Sequence, residues 1–213
     1  MATDLPLHER LVVTPLLEPS QVAEASIDLR LGTEFLILRR TRYAGVDPAS
    51  RAVDIQAREI VDRHVVPLGR PLWLHPDQFV LGATLEFVRL PSNLGAYVLG
   101  RSSWGRIGLI VATAVMIQPG FTGAITLELV NEGESPIALY PGSRIAQLAV
   151  HELDAPTEHG YDVGDPKYFA PIGPQVSQLS KEADEIGSVR RAGLSLERQG
   201  DQWSNTGAVD LGP

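Results

Sequence analysis

The 213-residue sequence contains no cysteine. A disulfide framework and a thiolate metal site are therefore both excluded. The five histidines have no short ligand spacing of the H-x3-H kind, and we interpret each as a surface or loop residue. They are His8, His64, His75, His151 and His159.

Long apolar runs are also missing. Residues 1–10 are polar and lack the apolar core of a signal peptide. No segment approaches the roughly 20 apolar residues that a membrane span needs. We therefore expect a cytoplasmic protein that does not contact a membrane.

Basic residues are in the minority, with 18 Lys and Arg against 26 Asp and Glu and a formal net charge of −8. This balance argues against a nucleic-acid or membrane-surface binder, because such proteins usually carry a basic patch. An anionic small ligand would instead require arginines clustered at one place in the chain.

No long amphipathic helix is evident, whereas 20 glycines and 16 prolines separate short alternating segments. Such strands, at intervals of roughly 10 residues, predict an all-β sandwich or barrel-like fold. The predicted strands lie within residues 26–31, 71–90, 124–131 and 144–153, and residues 39–63 are predicted to be irregular with one short helix. In the first strand, Asp28 and Arg30 share the polar face, where a cross-strand ion pair is one interpretation.

Residues 97–131 combine several kinds of chemistry in one stretch. Gly100 is predicted to form a turn, and it is followed by Arg101, Ser102, Ser103 and Arg106. Hydroxyl and guanidinium groups bind phosphate oxygens, so this turn suits a polyphosphate.

The same stretch ends in a predicted strand with one acid, Glu128. Alternation places Ile125, Leu127 and Leu129 on one face and Thr126, Glu128 and Val130 on the other. A carboxyl group in partly apolar surroundings tends to have a raised pKa, which suits general acid–base work. The alternative is that Glu128 is a solvated residue or pairs with an arginine.

Four ordered blocks together resemble the dCTP deaminase branch of the dUTPase-like family. They are ASIDLRLG, GRSSWGRIGL, IQPGFTGAITLELVN and PGSRIAQL. The resemblance implies an all-β, dUTPase-like subunit, a distorted jelly roll or β-clip with short helical excursions, that forms a homotrimer with sites shared between subunits. It also implies a dUTPase-like domain at residues 1–177, followed by an extension at 178–213 that we expect to be mobile or loosely docked.

The implied reaction is hydrolytic deamination of dCTP to dUTP and ammonia. Zinc-dependent nucleobase deaminases use cysteine ligands, which this chain lacks, so water must be activated without zinc. The implied catalytic residues are Glu128, Ser102 and Arg106. The implied substrate-binding residues are Arg101, Ser103, Ala114, Gln118, Thr126, Leu127, Gln147, Tyr161 and Lys167. Mg²⁺ is expected to arrive with the triphosphate and not in a protein cage.

The sequence departs from the family pattern at several positions. Gln118 stands where the family usually has an aspartate, and Pro171 replaces a glutamine. Val115 and Met116 replace polar residues, in a segment that is one residue shorter than the family pattern. Two alternatives therefore stay open. One is a dUTP diphosphatase or a bifunctional deaminase and diphosphatase, and the other is a catalytically silent nucleotide-binding relative.

Overall fold

The computed structural model describes residues 9–39, 45–50, 52–112, 116–157 and 170–199. Alternating segments form strands, as the sequence predicts. The strands are β1 (Val12–Thr14), β2 (Ile27–Arg30), β3 (Glu34–Leu38), β4 (Val61–Val65), β5 (Leu72–Leu74), β6 (Phe79–Arg89), β7 (Leu94–Gly100), β8 (Leu109–Val111), β9 (Met116–Ile117), β10 (Thr122–Asn131), β11 (Ile137–Leu139) and β12 (Arg144–Glu152). The helices are α1 (Val53–Glu59), α2 (Ser102–Gly105) and α3 (Ser180–Gln199), with a 3-10 turn at Pro19–Gln21.

The larger sheet has the order β4-β3-β6-β10-β8, and β1 also pairs with β6. Strand β10 therefore has neighbours on both sides, antiparallel to β6 and to β8. Its register with β6 shifts between Ala124 and Thr126. The hydroxyl of Thr84 accepts a hydrogen bond from the backbone N–H of Ile125 there, at 2.9 Å, which satisfies a donor that the shift would leave unpaired.

A second, four-stranded sheet has the order β2-β12-β7-β9, and β5 pairs with β11 in a small separate ribbon. Both larger sheets supply one apolar core. Leu29 and Leu148 enter it from the four-stranded sheet, and Phe35, Leu127 and Leu129 from the larger one. Each of the five is fully buried, and burial of such a side chain stabilises a fold by about 1.5–3 kcal/mol. The core thus fixes which face of β10 turns outward.

The described part of the chain is mostly β with few helices, and the prediction of a β fold is confirmed at that level. Helix α1 lies inside the segment where one short helix was expected. Helix α3 was not predicted, because residues 181–213 contain several glycines and show little apolar periodicity. None of the helices among the described residues is long and apolar enough to cross a membrane.

The chain divides into two compact units, one of residues 1–42 and 58–176 and one of residues 43–57 and 177–213. Within the second unit, Asp54 accepts a hydrogen bond from the backbone N–H of Ser180 at 3.0 Å. A carboxylate at the first turn satisfies an N–H group that the helix itself cannot pair, which supports α3 at its start. The predicted boundary after residue 177, and the mobility of the extension, stay predictions.

Candidate active site

Glu128 lies on the outward face of β10. Thr126, Glu128 and Val130 are partly exposed, whereas Leu127 and Leu129 are fully buried, so the predicted alternation is confirmed. Burial raises the pKa of the Glu128 carboxyl above its ordinary value. A carboxyl group whose pKa is raised can exchange a proton closer to neutral pH than an ordinary one.

The chain after β8 runs directly beside Glu128. The backbone N–H of Ala112 donates to the carbonyl of Glu128 at 2.8 Å, which extends the pairing of β8 with β10. The chain next enters β9, where Met116 pairs with Tyr97 of β7 in the other sheet. Ala114, a predicted site residue, lies outside the described residues. The segment from 112 to 116 thus starts beside Glu128 and ends on the second sheet.

The predicted phosphate turn follows β7. Ser102 begins the single helical turn α2, which is closed by a bond from the N–H of Arg106 to the Ser102 carbonyl at 3.1 Å. The indole of Trp104 donates to the carbonyl of Arg144 at 2.8 Å and ties this turn to β12. Ser102, Ser103 and Arg106 are exposed in the single subunit. These side chains are available to a ligand or to another protein chain.

The prediction that Gly100 forms a turn was wrong, because Gly100 is the last residue of β7. Gly100 is absent from the glycines with positive φ, and a Cβ placed on it would meet Val111 at an ordinary contact distance of 3.4 Å. Its position is still informative, because Val111 pairs with Leu129 on β10. The start of the phosphate turn therefore lies against β8, whose other side is hydrogen-bonded to the strand of Glu128.

Arg101 and Gln147, both predicted as ligand residues, meet at the carboxylate of Asp28. The Arg101 guanidinium lies 2.6 Å from Asp28 Oδ2, and Gln147 Nε2 donates to Oδ1 at 3.1 Å. Arg144 contacts the same carboxylate at 3.2 Å, although sequence reasoning did not assign it to the site. Arg30 pairs instead with Glu18, at 3.2 Å. Asp28 therefore has cross-strand partners, but Arg30 is not one of them.

The remaining predicted residues have different surroundings. Gln118 is exposed in the turn before β10, and its carbonyl accepts from the N–H of Phe121 at 3.1 Å. The side chain of Leu127 is in the core, so only its backbone faces a potential ligand. Thr126 accepts a hydrogen bond from the N–H of Gln175 at 3.2 Å. Tyr161 and Lys167 lie outside the described residues.

Pro171 has a structural function that the sequence did not reveal. Its carbonyl accepts from the N–H of Ala124 at 2.7 Å, and its ring lies so close to Gly123 that a Cβ there would be 2.4 Å from Pro171 Cδ. Residues 170–176 thus form a strap along the first half of β10, ending at Thr126. A proline can occupy this position because the bond uses its carbonyl and requires no N–H.

Among the described residues, no group of three His, Asp or Glu side chains is arranged to hold a metal ion. The predicted site residues of one subunit instead include a partly buried carboxyl on Glu128, exposed hydroxyl groups on Ser102 and Ser103, and two arginines. Arg106 is exposed, whereas Arg101 pairs with Asp28. Such a set suits proton transfer next to an anion-binding turn.

The model of the dCTP deaminase-like family matches residues 3–153 of the chain. The chain belongs to this family. It is 46% identical over 178 residues to a protein of Natronomonas pharaonis named dCTP deaminase, which covers 82% of this chain and 89% of that protein. It is 42% identical over 174 residues to a protein of Dictyoglomus thermophilum named dCTP deaminase, dUMP-forming, with 80% and 88% covered.

A solved structure gives a related result. The crystal structure of the 2′-deoxycytidine 5′-triphosphate deaminase from Agrobacterium tumefaciens superimposes with a TM-score of 0.52 at 28% sequence identity. The match covers 67% of this chain and 43% of that chain, so the chain spans less than half of that structure's length. The fold of this family member is therefore shared with a solved deaminase over the matched region.

Proposed function

We propose that this protein hydrolyses dCTP to dUTP and ammonia. The observation that carries the proposal is Glu128, a partly buried carboxyl with a raised pKa, on a strand that adjoins the chain leading from the serine- and arginine-rich turn. The names of its relatives support the same substrate. Water adds at the amino-bearing carbon of cytosine, and ammonia leaves as the carbonyl of uracil forms.

Each catalytic residue has a proposed role. Glu128 takes a proton from the attacking water and delivers it to the ring or to the departing amine. Ser102 and a backbone carbonyl near Ala114 hold that water. Arg106 stabilises the charge that develops during attack. Ser102 and Arg106 are exposed in one subunit, which fits a site that a second subunit completes. We propose a homotrimer of dUTPase-like, distorted jelly-roll subunits with such shared sites.

The nucleotide is held by the other predicted residues. Arg101, Ser103, Tyr161 and Lys167 bind the triphosphate, and Ala114, Gln118, Thr126, Leu127 and Gln147 contact the base or sugar side of the site. Mg²⁺ would enter with the nucleotide and would offset the negative charge of the triphosphate. The described residues offer no protein cage for it, so we assign no protein ligand. We place the reaction in the cytoplasm.

A second candidate is a dCTP deaminase that also releases pyrophosphate and so forms dUMP. The names of relatives from Dictyoglomus thermophilum and Mycolicibacterium vanbaalenii favour this candidate. Gln118 opposes it, because a neutral amide is a poor base for aiming water at phosphorus. A silent nucleotide-binding relative is not favoured, because Ser102, Arg106 and Glu128 are all present.

The test is to incubate the protein with each deoxynucleoside triphosphate and Mg²⁺, and to separate the products. Ammonia and dUTP from dCTP alone are expected. Release of dUMP and pyrophosphate from dCTP would select the second candidate, and no product from any nucleotide would contradict both.

A further inference from the structure

Three side chains, one that directly follows β7 and two from β12, converge on Asp28 of the four-stranded sheet. Arg101 follows β7, and both Arg144 and Gln147 lie on β12, the neighbour of β2. Their contacts to the Asp28 carboxylate are 2.6, 3.2 and 3.1 Å. Asp28 itself is only 8% exposed. It is therefore too enclosed to be a main contact for a nucleotide, although two residues of the proposed site depend on it.

The backbone around Asp28 is held by buried polar groups. The amide of Gln21 donates to the Asp28 carbonyl at 3.1 Å and to the carboxyl of Glu86 at 2.9 Å. The other oxygen of Glu86 accepts from the N–H of Arg30 at 2.8 Å. Gln21 and Glu86 are both fully buried. Since buried polar groups that are fully hydrogen-bonded make a region rigid, the Asp28 carboxylate is fixed in position before any ligand binds.

The hydrogen bonds at Asp28 also determine what its partners present to a ligand. Arg101 has five N–H donors, and the short bond to Asp28 uses its Nη1 nitrogen. The Gln147 amide nitrogen is directed at Asp28 and, at 3.5 Å, at Ser26. The carbonyl oxygen of Gln147 is therefore the group that it can offer to a ligand.

We propose that Asp28 is a positioning residue for nucleotide binding: it holds Arg101 and Gln147 in the orientations in which they receive an anionic triphosphate nucleotide. This inference rests on the proposed function. Asp28 acts through its two partners and takes no part in the chemical step, so its loss affects binding more than turnover.

Electrostatics and positioning predict opposite results when the Asp28 charge is removed. A negative charge near an anion site repels the ligand, so if only net charge mattered, Asp28→Asn would strengthen binding of a triphosphate. If positioning matters, the same change weakens binding, because asparagine has only one acceptor oxygen and cannot accept on separate oxygens from Arg101 and Gln147. The sign of the change in affinity distinguishes the two effects.

Glu18 provides a matched control. It contacts Arg144 at 2.5 Å and Arg30 at 3.2 Å, so Glu18→Gln removes one negative charge from the same arginine cluster. Its side chain is 57% exposed and lies outside the proposed binding residues. We expect Glu18→Gln to leave the KM for dCTP with Mg²⁺ unchanged or slightly lower. We expect Asp28→Asn to raise that KM about tenfold, the scale of a lost charge-assisted hydrogen bond, with kcat within about threefold.

A double-mutant cycle separates positioning from a general structural defect. In an Arg101→Ala background, Asp28→Asn should change KM by less than about threefold, because part of its effect has already been removed. If the two effects multiply in full, Asp28 does not act through Arg101 and the inference fails. If Asp28→Asn does not fold, Asp28→Glu takes its place. Asp28→Glu keeps the charge but displaces the carboxylate. Positioning therefore predicts a severalfold higher KM, whereas net charge alone predicts no change in KM.

A binding measurement keeps this inference apart from the proposed function. If the unmodified protein releases no ammonia from dCTP, the proposed function is refuted, and calorimetry with Mg²⁺ and tripolyphosphate then decides the role of Asp28. About tenfold weaker binding by Asp28→Asn, with Glu18→Gln unaffected, supports it. Equal or tighter binding by Asp28→Asn overturns it, and so does a lack of any tripolyphosphate binding by the unmodified protein.

Discussion

The backbone N–H of Ala112 donates to the backbone carbonyl of Glu128 at 2.8 Å. This bond continues the pairing of β8 with β10 beyond Val111, and it places the start of the segment containing Ala114 beside the proposed catalytic strand. The departures from the family pattern at Val115 and Met116 therefore come within four residues of Ala112, whose backbone is hydrogen-bonded to Glu128.

Glu128→Gln should lower ammonia release from dCTP by about 10²- to 10⁴-fold, the usual contribution of a general acid–base group. The amide is nearly isosteric, so dCTP binding should stay within about tenfold. Single-turnover assays and calorimetry measure the two quantities separately. Glu132→Gln, an exposed position just after β10, serves as the control. Unchanged turnover would remove Glu128 from the mechanism.

The raised pKa of Glu128 also predicts a pH-dependent effect on stability. Between the ordinary carboxyl pKa and the raised one, the folded protein binds more protons than the unfolded chain, so the free energy of unfolding falls as pH rises through that range. Glu128→Gln removes this loss. We therefore compare the Tm of the variant minus the Tm of the unmodified protein at two pH values. This difference should be more positive at neutral pH than at a pH below the ordinary carboxyl pKa. A Tm difference that is the same at both pH values would contradict this prediction.

A homotrimer is expected in solution. Five large apolar side chains near the proposed site are 41–55% exposed in the single subunit, which is typical of surfaces that another chain covers. They are Tyr97, Leu99, Ile107, Ile110 and Met116. Light scattering should give three times the subunit mass of 23.1 kDa. A monomer at concentrations where activity is full would disprove the shared site.

Gly123→Ala tests whether the strap at residues 170–176 supports the strand of Glu128. Gly123 has a φ of 151°, and an added Cβ would lie 2.4 Å from Pro171 Cδ. The substitution should lower the free energy of unfolding by about 1–3 kcal/mol and reduce activity, since the strap is bonded to Ala124 and Thr126. Chemical denaturation measures the loss. Gly45→Ala, where a Cβ would meet nothing within 4 Å, should change stability by less than about 0.5 kcal/mol.

Some parts of the site could be predicted from local sequence and others could not. The outward position of Glu128 followed from alternation, because two fully buried leucines fix the parity of β10. The Asp28 cluster was different, since Arg144 and Gln147 are 116 and 119 residues away in the chain. Only the pairing of β12 with β2 brings them to Asp28. Single-sequence patterns predict the faces of strands but not which strands become neighbours.

The proline of the strap illustrates the same limit. From the sequence, replacement of the family's glutamine by Pro171 means that a side-chain amide and a backbone N–H are lost. In the structure its carbonyl and ring are the groups in use, against Ala124 and Gly123. No local pattern predicts that this segment is hydrogen-bonded to β10, since its partner Ala124 lies 47 residues earlier in the chain.

Gln118 is the position where the two candidate reactions differ most. It is exposed in the turn that leads into β10, ten residues before Glu128 in the numbering. An aspartate there could orient a water for attack on phosphorus or accept a bond from the sugar hydroxyl. A neutral glutamine does the second more readily than the first. We therefore predict that the unmodified protein releases no pyrophosphate from dUTP, and that it discriminates less strongly among cytosine nucleotides than a variant with the acid restored.

The assay follows ammonia and pyrophosphate separately with dCTP and with dUTP, for the unmodified protein and for Gln118→Asp. Deamination alone predicts ammonia from dCTP and no pyrophosphate from either nucleotide, with Gln118→Asp improving dCTP use or leaving it unchanged. Pyrophosphate from dUTP in the unmodified protein would show that water reaches phosphorus without an acid at this position, and would favour the dUMP-forming reaction named for several relatives. If the protein binds nucleotides but forms neither product, Gln118→Asp combined with Pro171→Gln tests for rescue. Restored ammonia release in that double variant would locate the defect at these two departures, because Ser102, Arg106 and Glu128 are unchanged in it.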